Sequence, residues 1–172
     1  LSPNAAIHDI RIMEQGRQLQ GDVLLRGLEH AIESKVDVVN VSLSVSRRFF
    51  EPLATLCDRA YKKGVLIVAA QRNLPLSDFG FPCEFASTIG VASAFFANPL
   101  GVVYRSGNMV EYAGNGENVE VAAAGGGWTV RSGSSFATSS VSALCAILLG
   151  AYPGLTPFEI KSLLKQYSEP DS

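Results

Sequence analysis

Hydrophobic and polar positions along this chain follow two alternating spacings. Two segments, from residue 22 to 32 and from residue 52 to 64, place apolar side chains every three or four positions, which predicts amphipathic helices. Each is followed by an unbroken apolar and largely β-branched run, at residues 36–43 and 65–70, typical of buried parallel strands. Helices that alternate with such strands predict a parallel sheet with right-handed crossovers.

Shorter segments complete the predicted pattern. A last amphipathic helix begins after Thr156, with Pro157 at its first position. No repeat or composition change divides the chain, so residues 1–172 are predicted to belong to one domain. Loops are predicted at 14–20 and 74–83, and strands at 5–13, 88–94, 102–104, 109–112 and 119–122, the last three partly antiparallel.

Composition narrows the classes of function. The chain has 172 residues, is 47% hydrophobic and carries a net charge of −2 without any long basic cluster, so nucleic acid is not an expected partner. Its three cysteines are widely spaced and form neither a disulfide framework nor a zinc motif. Cys57 and Cys145 fall on the apolar faces of predicted helices, so these two are expected to be buried free thiols. The longest apolar stretch, 141–155, is predicted to be too short and too interrupted to span a membrane.

No signal peptide is present, and the first residue is Leu1, which predicts a segment of a longer protein and leaves its compartment unassigned. Residues 40–42 match a glycosylation acceptor, but a buried strand cannot serve as one, so this match is dismissed.

A glycine turn at residues 133–138 (GSSFAT) delivers two serines onto the first turn of an apolar helix. A helix N-terminus leaves backbone N–H groups unpaired and carries a partial positive charge. One interpretation is a helix-capping serine. The other is a nucleophile whose own amide stabilises an oxyanion.

Other glycine and serine motifs do not fit the chain. The glycines at 125–127 precede neither a Gly-Lys-Ser/Thr sequence nor a long helix, which excludes a phosphate-binding loop and disfavours a dinucleotide site. An α/β-hydrolase needs its acid and histidine after the serine. Here His8 and His30 both precede it, and Asp171 in the tail is the only acid that could serve, so this interpretation fails.

Three stretches, in order, resemble the subtilisin-like serine peptidases. Residues 38–44 (VVNVSLS) resemble the family's substrate-binding strand, which usually ends Ser-Leu-Gly. Residues 64–73 resemble the strand that ends Ala-Ala-Gly-Asn, and residues 133–138 resemble the nucleophile motif Gly-Thr-Ser-Met-Ala. The resemblance covers about the C-terminal two thirds of a family domain. It implies a three-layer α/β/α fold with a mostly parallel sheet, the N-terminal part missing. Weaker matches lie at 81–92, 121–125 and 152–156.

The resemblance implies a serine endopeptidase that cleaves peptides in an extended conformation. Ser135 corresponds to the nucleophile, and Asn73 to the side chain of the oxyanion hole. No cofactor is implied, and calcium binding cannot be read from this part of the family domain. The implied substrate-binding residues are Ser42, Leu43, Ser44, Ala69, Ala70, Gln71 and Arg72.

Departures from the family motifs leave two hypotheses. The Asp-Thr/Ser-Gly and His-Gly-Thr-His segments do not occur, and neither His8 nor His30 has the context of the catalytic histidine. Ser139 and Ser140 replace the usual Pro-His, and Arg72 replaces a glycine that lines the specificity pocket. Either a segment outside this chain supplies the Asp and His of a peptidase, or the chain is a non-catalytic module that binds extended peptides. Retention of both site residues favours the peptidase.

Overall fold

The computed structural model describes residues 1–13, 20–73 and 80–169, and within these ranges a five-stranded sheet and a separate hairpin are flanked by four α-helices. The sheet strands are β1 (Val38–Val41), β2 (Leu66–Ala70), β3 (Ile89–Ala94), β4 (Val102–Tyr104) and β5 (Tyr112–Asn115). The hairpin strands are β6 (Val119–Ala122) and β7 (Trp128–Arg131). The helices are α1 (Gly21–Glu33), α2 (Phe50–Lys62), α3 (Ser134–Ala151) and α4 (Pro157–Gln166).

The sheet has the order β1-β2-β3-β5-β4 and is mostly parallel. Strands β1, β2, β3 and β5 run parallel to their neighbours, whereas β4 pairs with β5 in the antiparallel direction. The register aligns Val41 with Ala69 and Ala70 with Val91. The carboxyl ends of β1 and β2 therefore lie side by side at the same end of the sheet, where parallel α/β sheets commonly bind ligands.

Helices cover both faces of the sheet. Strand β2 is buried throughout, with Ile67 and Ala69 in the core beneath α1 and α2. Its alternate residues, Leu66 and Val68, lie in the second core beneath α3 and α4. This period of two is the pattern of a strand covered on both faces. It confirms the predicted three-layer arrangement with a mostly parallel sheet.

The prediction of a strand at residues 5–13 is wrong. The segment has no regular secondary structure. Ile12 nevertheless packs closely on α1: its Cγ2 would lie only 2.7 Å from a Cβ atom added at Gly27. Alternating side chains provide this packing, but a strand also needs a neighbour for its backbone hydrogen bonds. No described strand pairs with this segment. Residues 14–19 and 74–79 of the two predicted loops lie outside the described residues.

Strand β5 begins where the predicted strand 109–112 ends. Its centre is Ala113-Gly114, a sequence with low strand propensity. The glycine is required because α3 lies against it: a Cβ at Gly114 would be 2.7 Å from Val141 Cγ2 and 3.0 Å from the Ala137 carbonyl oxygen. Close helix packing therefore selects a residue that the sequence pattern does not associate with strands.

Helix α3 is longer than the apolar pattern indicates. It spans 18 residues with a mean hydropathy of 1.5, so in length and composition it could cross a membrane, and the prediction that this stretch is too short is wrong. It packs instead across the sheet, burying Ala137, Val141 and Cys145. A core helix passes the same test of length and hydropathy, and the buried residues of α3 pack against the sheet.

Candidate active site

A groove of about 240 Å³ opens where the carboxyl ends of β1 and β2 meet the N-terminus of α3. Eight of the nine predicted site residues line it. Ala69 does not, because its side chain lies in the core between the sheet and helices α1 and α2 and is 0% exposed. Its assignment to substrate binding is therefore corrected. Ser134, which was not predicted as a site residue, also lines the groove. The lining residues are Ser42, Leu43, Ser44, Ala70, Gln71, Arg72, Asn73, Ser134 and Ser135.

The backbone conformation directly before α3 requires a glycine, Gly133. Gly133 immediately precedes the helix with φ 152° and ψ 158°, a conformation that side-chain-bearing residues rarely adopt. Its N–H donates to the Gly116 carbonyl at 2.8 Å, and an added Cβ would lie 3.7 Å from the Asn73 amide nitrogen. The three glycines at 125–127 have positive φ and form the turn between β6 and β7.

Ser135 and Ser42 form a reciprocal pair of hydrogen bonds. The Ser135 Oγ donates to the Ser42 carbonyl at 3.3 Å, and the Ser42 Oγ donates to the Ser135 carbonyl at 3.2 Å. The end of β1 is thereby joined to the first turn of α3. A serine hydroxyl that donates to a neutral carbonyl gains no basic partner, so this contact orients Ser135 without activating it.

Asn40 extends this connection, and its environment differs from the prediction. It is exposed on strand β1, so burial is not a valid reason to dismiss the acceptor motif. Its Nδ2 donates to the Ser42 Oγ at 2.9 Å, and its Oδ1 accepts from the Ser142 Oγ at 3.0 Å. The side chain therefore links β1 to α3 on the side of the groove.

Asn73 is held by the residue that precedes Ser135. The Asn73 Oδ1 accepts from the Ser134 backbone N–H at 3.2 Å and lies 2.9 Å from the Ser134 Oγ. That Oγ also donates to the Gln71 carbonyl at 2.6 Å. The carboxamide oxygen is thus turned towards α3, which directs the Nδ2 donors away from this contact. The structure brings Asn73 and Ser135 to one groove, as predicted.

The two histidines lie elsewhere. His8 and His30 are both exposed and contact each other edge to face, with ring centroids 5.7 Å apart. Neither is among the residues that line the groove. This agrees with the prediction that neither has the context of a catalytic base. Asp171 falls outside the described residues.

Cys57, Cys83 and Cys145 are free and buried, which confirms the prediction made for Cys57 and Cys145. Burial raises the pKa of each thiol to about 12, so all three remain protonated at neutral pH. None lines the groove, where the nucleophilic side chains are therefore hydroxyls. In the described ranges, no group of three or more His, Cys, Asp or Glu side chains could hold a metal ion.

Comparison with solved structures identifies the fold as subtilisin-like. Sphericase superposes with a TM-score of 0.68 at 25% identity, over 86% of this chain and 55% of the sphericase chain. A cold-adapted subtilisin-like serine proteinase superposes with a TM-score of 0.74 at 22% identity, over 91% of this chain and 57% of its own.

Sequence comparison gives the family. A model of the subtilase family of peptidases matches residues 1–170, and the chain belongs to this family. Subtilisin of Bacillus pumilus is 25% identical over 169 residues, covering 96% of this chain and 61% of the relative. The minor extracellular protease Epr of Bacillus subtilis (strain 168) is 26% identical over 170 residues, covering 96% of this chain and 26% of the relative. The chain thus spans less than two thirds of these relatives.

Proposed function

We propose that this chain is the part of a serine endopeptidase that carries the nucleophile and the oxyanion hole. The observation that supports this function is the common groove of Ser135 and Asn73 at the start of α3. Ser135 is the nucleophile, and its backbone N–H and the Asn73 Nδ2 are the two oxyanion donors. A segment outside this chain supplies the aspartate and the histidine.

The proposed groups account for a complete acyl transfer. The Ser135 oxygen attacks the peptide carbonyl carbon while the histidine accepts the hydroxyl proton. The carbonyl oxygen becomes an oxyanion held by the two donors. Return of the proton to the leaving nitrogen breaks the C–N bond and leaves an ester on Ser135. Water, deprotonated by the same histidine, then attacks the ester carbon. The bond to the Ser135 oxygen breaks as the histidine returns the proton to that oxygen, which releases the acid and restores the serine.

The proposed substrate is a peptide in an extended conformation. Residues 42–44 follow β1 and residues 70–73 include the end of β2, so main-chain groups border the groove on two sides. An extended peptide between them can form hydrogen bonds with either backbone, and these bonds recognise conformation with little dependence on sequence. Side-chain selectivity then depends on the groove-lining residues.

Arg72 is the proposed determinant of that selectivity. Among the described residues that line the groove, it is the one with a formal charge. Its side chain begins next to Gly80: a Cβ atom added to that glycine would lie 3.1 Å from the Arg72 Cβ. Its bulk restricts the pocket and its guanidinium favours carboxylates. We expect weak cleavage after large aromatic residues and preferential cleavage after small or acidic ones.

Replacement of Arg72 with glycine is expected to shift cleavage towards larger apolar residues, because it removes both bulk and charge. Profiling on a peptide library measures the change. Arg48→Gly is the matched control, since Arg48 stacks on Phe49 and does not line the groove. Identical profiles for the parent protein and Arg72→Gly would show that Arg72 does not set specificity.

Complementation tests the proposed function directly. The 172-residue chain by itself is expected not to turn over peptides, since the Ser135 hydroxyl contacts a carbonyl and not a base. Supplying the segment with the Asp and His motifs, fused or added separately, is expected to produce hydrolysis that Ser135→Ala abolishes. Hydrolysis by the chain alone, lost in Ser135→Ala but retained when both histidines are replaced, would require another base and contradict the proposal.

The competing function is a non-catalytic module that binds extended peptides. The replacement of the usual Pro-His by Ser139 and Ser140 favours it. Such a module would bind peptides in the groove and leave them intact even with the Asp and His segment present. The same complementation experiment therefore separates the two functions.

Strand β1 is the proposed contact for the missing segment. It lies at one edge of the described sheet, with β2 as its neighbour, and two of its residues, Val38 and Val39, are half-buried. A strand edge presents backbone groups that can pair with another segment. Pairing there would complete the sheet and stabilise this chain.

A further inference from the structure

A short segment, Gly80 with Phe81, joins the two walls of the groove. The Val45 N–H donates to the Phe81 carbonyl at 3.0 Å, and the Phe81 N–H donates back to the Val45 carbonyl at 3.5 Å. Val45 directly follows Ser44, which lines one wall. On the other wall, a Cβ atom added at Gly80 would lie 3.1 Å from the Arg72 Cβ. The segment therefore lies between the wall that follows β1 and the wall that follows β2.

The carboxylate of Glu84 holds this segment in place. Its Oε1 accepts from the Gly80 N–H at 2.7 Å, while the Cys83 Sγ donates to the Gly80 carbonyl at 2.9 Å. Gly80 is buried, so both of its backbone groups need such partners. Gly80 is thus the one residue that separates the Glu84 carboxylate from the base of the Arg72 side chain.

The second carboxylate oxygen of Glu84 is left without a hydrogen bond. Its Oε2 is buried and has no partner in the part of the chain that the structure describes. A donor would offset part of the negative charge on this oxygen, and exposure would let water screen it. Because neither applies, the charge acts on its surroundings more strongly than that of a surface carboxylate.

We propose that Glu84 is a second specificity-determining residue, whose negative charge opposes that of the Arg72 guanidinium in the groove. This inference rests on the proposed function and on the role proposed for Arg72. Opposite charges on the two sides of Gly80 partly cancel for a substrate side chain in the groove. The expected substrate class is therefore a peptide with either a carboxylate or a neutral carboxamide before the scissile bond.

Paired substrates with Glu or Gln before the scissile bond test this inference in the protein complemented with the Asp and His segment. Glu and Gln have nearly the same shape, so the ratio of their kcat/KM values reports the effect of charge. Glu84→Gln removes the charge and keeps an oxygen for the Gly80 N–H. It is expected to raise the Glu/Gln ratio about three- to tenfold. An unchanged ratio in a folded Glu84→Gln variant would overturn the inference.

Glu33→Gln is the matched control, because it removes the same charge at the other end of the sheet. Glu33 is the last residue of α1, which precedes the start of β1, whereas the groove lies at the carboxyl end of β1. This variant is expected to leave the Glu/Gln ratio unchanged. A rise equal to that of Glu84→Gln would show that the net charge of the chain sets the ratio, and it would overturn the local role of Glu84.

A variant that retains Glu84 keeps the inference testable if Glu84→Gln does not fold. Arg72→Gln removes the positive charge, so the remaining carboxylate is expected to disfavour acidic side chains and to bring the Glu/Gln ratio below one. Adding Glu84→Gln to Arg72→Gln is expected to return the ratio to about one. A ratio that stays at or above one in Arg72→Gln would contradict the role of Glu84.

The outcomes separate this inference from the proposed function. Hydrolysis that Ser135→Ala abolishes, with a Glu/Gln ratio that does not respond to Glu84→Gln, would overturn the inference and leave the peptidase function intact. Hydrolysis that persists in Ser135→Ala would show that the proposed function itself is wrong.

Discussion

Replacing Ser135 with alanine is expected to lower kcat by about 10⁶-fold, the loss that follows removal of the nucleophile from a subtilisin. The reason is chemical: alanine offers no oxygen that can form the ester, while the groove and its oxyanion donors remain. KM is expected to change little, because the groove still binds the peptide. Steady-state hydrolysis of a chromogenic peptide by the complemented protein measures both constants.

Ser139→Ala provides the control for this substitution. Ser139 lies one turn later on α3 and is exposed, and its Oγ donates to the Ser135 carbonyl at 3.1 Å. Loss of this hydroxyl is expected to leave kcat close to that of the parent protein. Comparable hydrolysis by Ser135→Ala and Ser139→Ala would show that Ser135 is not the nucleophile.

Replacing Asn73 with alanine is expected to lower kcat by about 10²- to 10³-fold, the range known for removal of an oxyanion-hole donor from a subtilisin. The loss arises because only the Ser135 backbone N–H remains to stabilise the oxyanion. KM is expected to stay unchanged, since the charge on the oxygen develops after binding. The same steady-state assay separates the two effects.

Asn73→Asp removes the donor while keeping an oxygen for the Ser134 contacts. It is expected to lose at least as much activity as Asn73→Ala, because a carboxylate places negative charge where the oxyanion forms. Thermal unfolding of both variants shows whether the fold is retained. Full activity in Asn73→Asp would contradict the assignment of Asn73 to the oxyanion hole.

Local patterns predict the elements whose residues are typical of their structure. Strand β2 is a continuous apolar run and is buried as predicted, and Thr156 forms the expected helix cap. Elements that depend on distant partners are predicted less well. Residues 5–13 alternate like a strand but have no described neighbour, and β5 contains Gly114 because α3 packs on it.

The same distinction applies to the groove. The carboxyl ends of β1 and β2 could be predicted to converge because neighbouring parallel strands end on the same side of the sheet, and this places Ser42 and Asn73 together. Ser135 reaches the same groove from the first turn of α3. Ala69 was wrongly included because adjacent strand residues face opposite sides. Ser134 was missed because its contact with the Asn73 carboxamide depends on side-chain geometry that spacing along the sequence does not encode.

Covalent labelling with a fluorophosphonate tests the central claim, that Ser135 is a nucleophile activated by a base from outside this chain. In this reaction the serine oxygen bonds to phosphorus, fluoride leaves, and the base takes the hydroxyl proton. The complemented protein is expected to gain one adduct, located at Ser135 by peptide mass spectrometry and absent from Ser135→Ala and from the chain alone. An adduct at another residue, or hydrolytic activity that persists without any adduct at Ser135, would contradict the account.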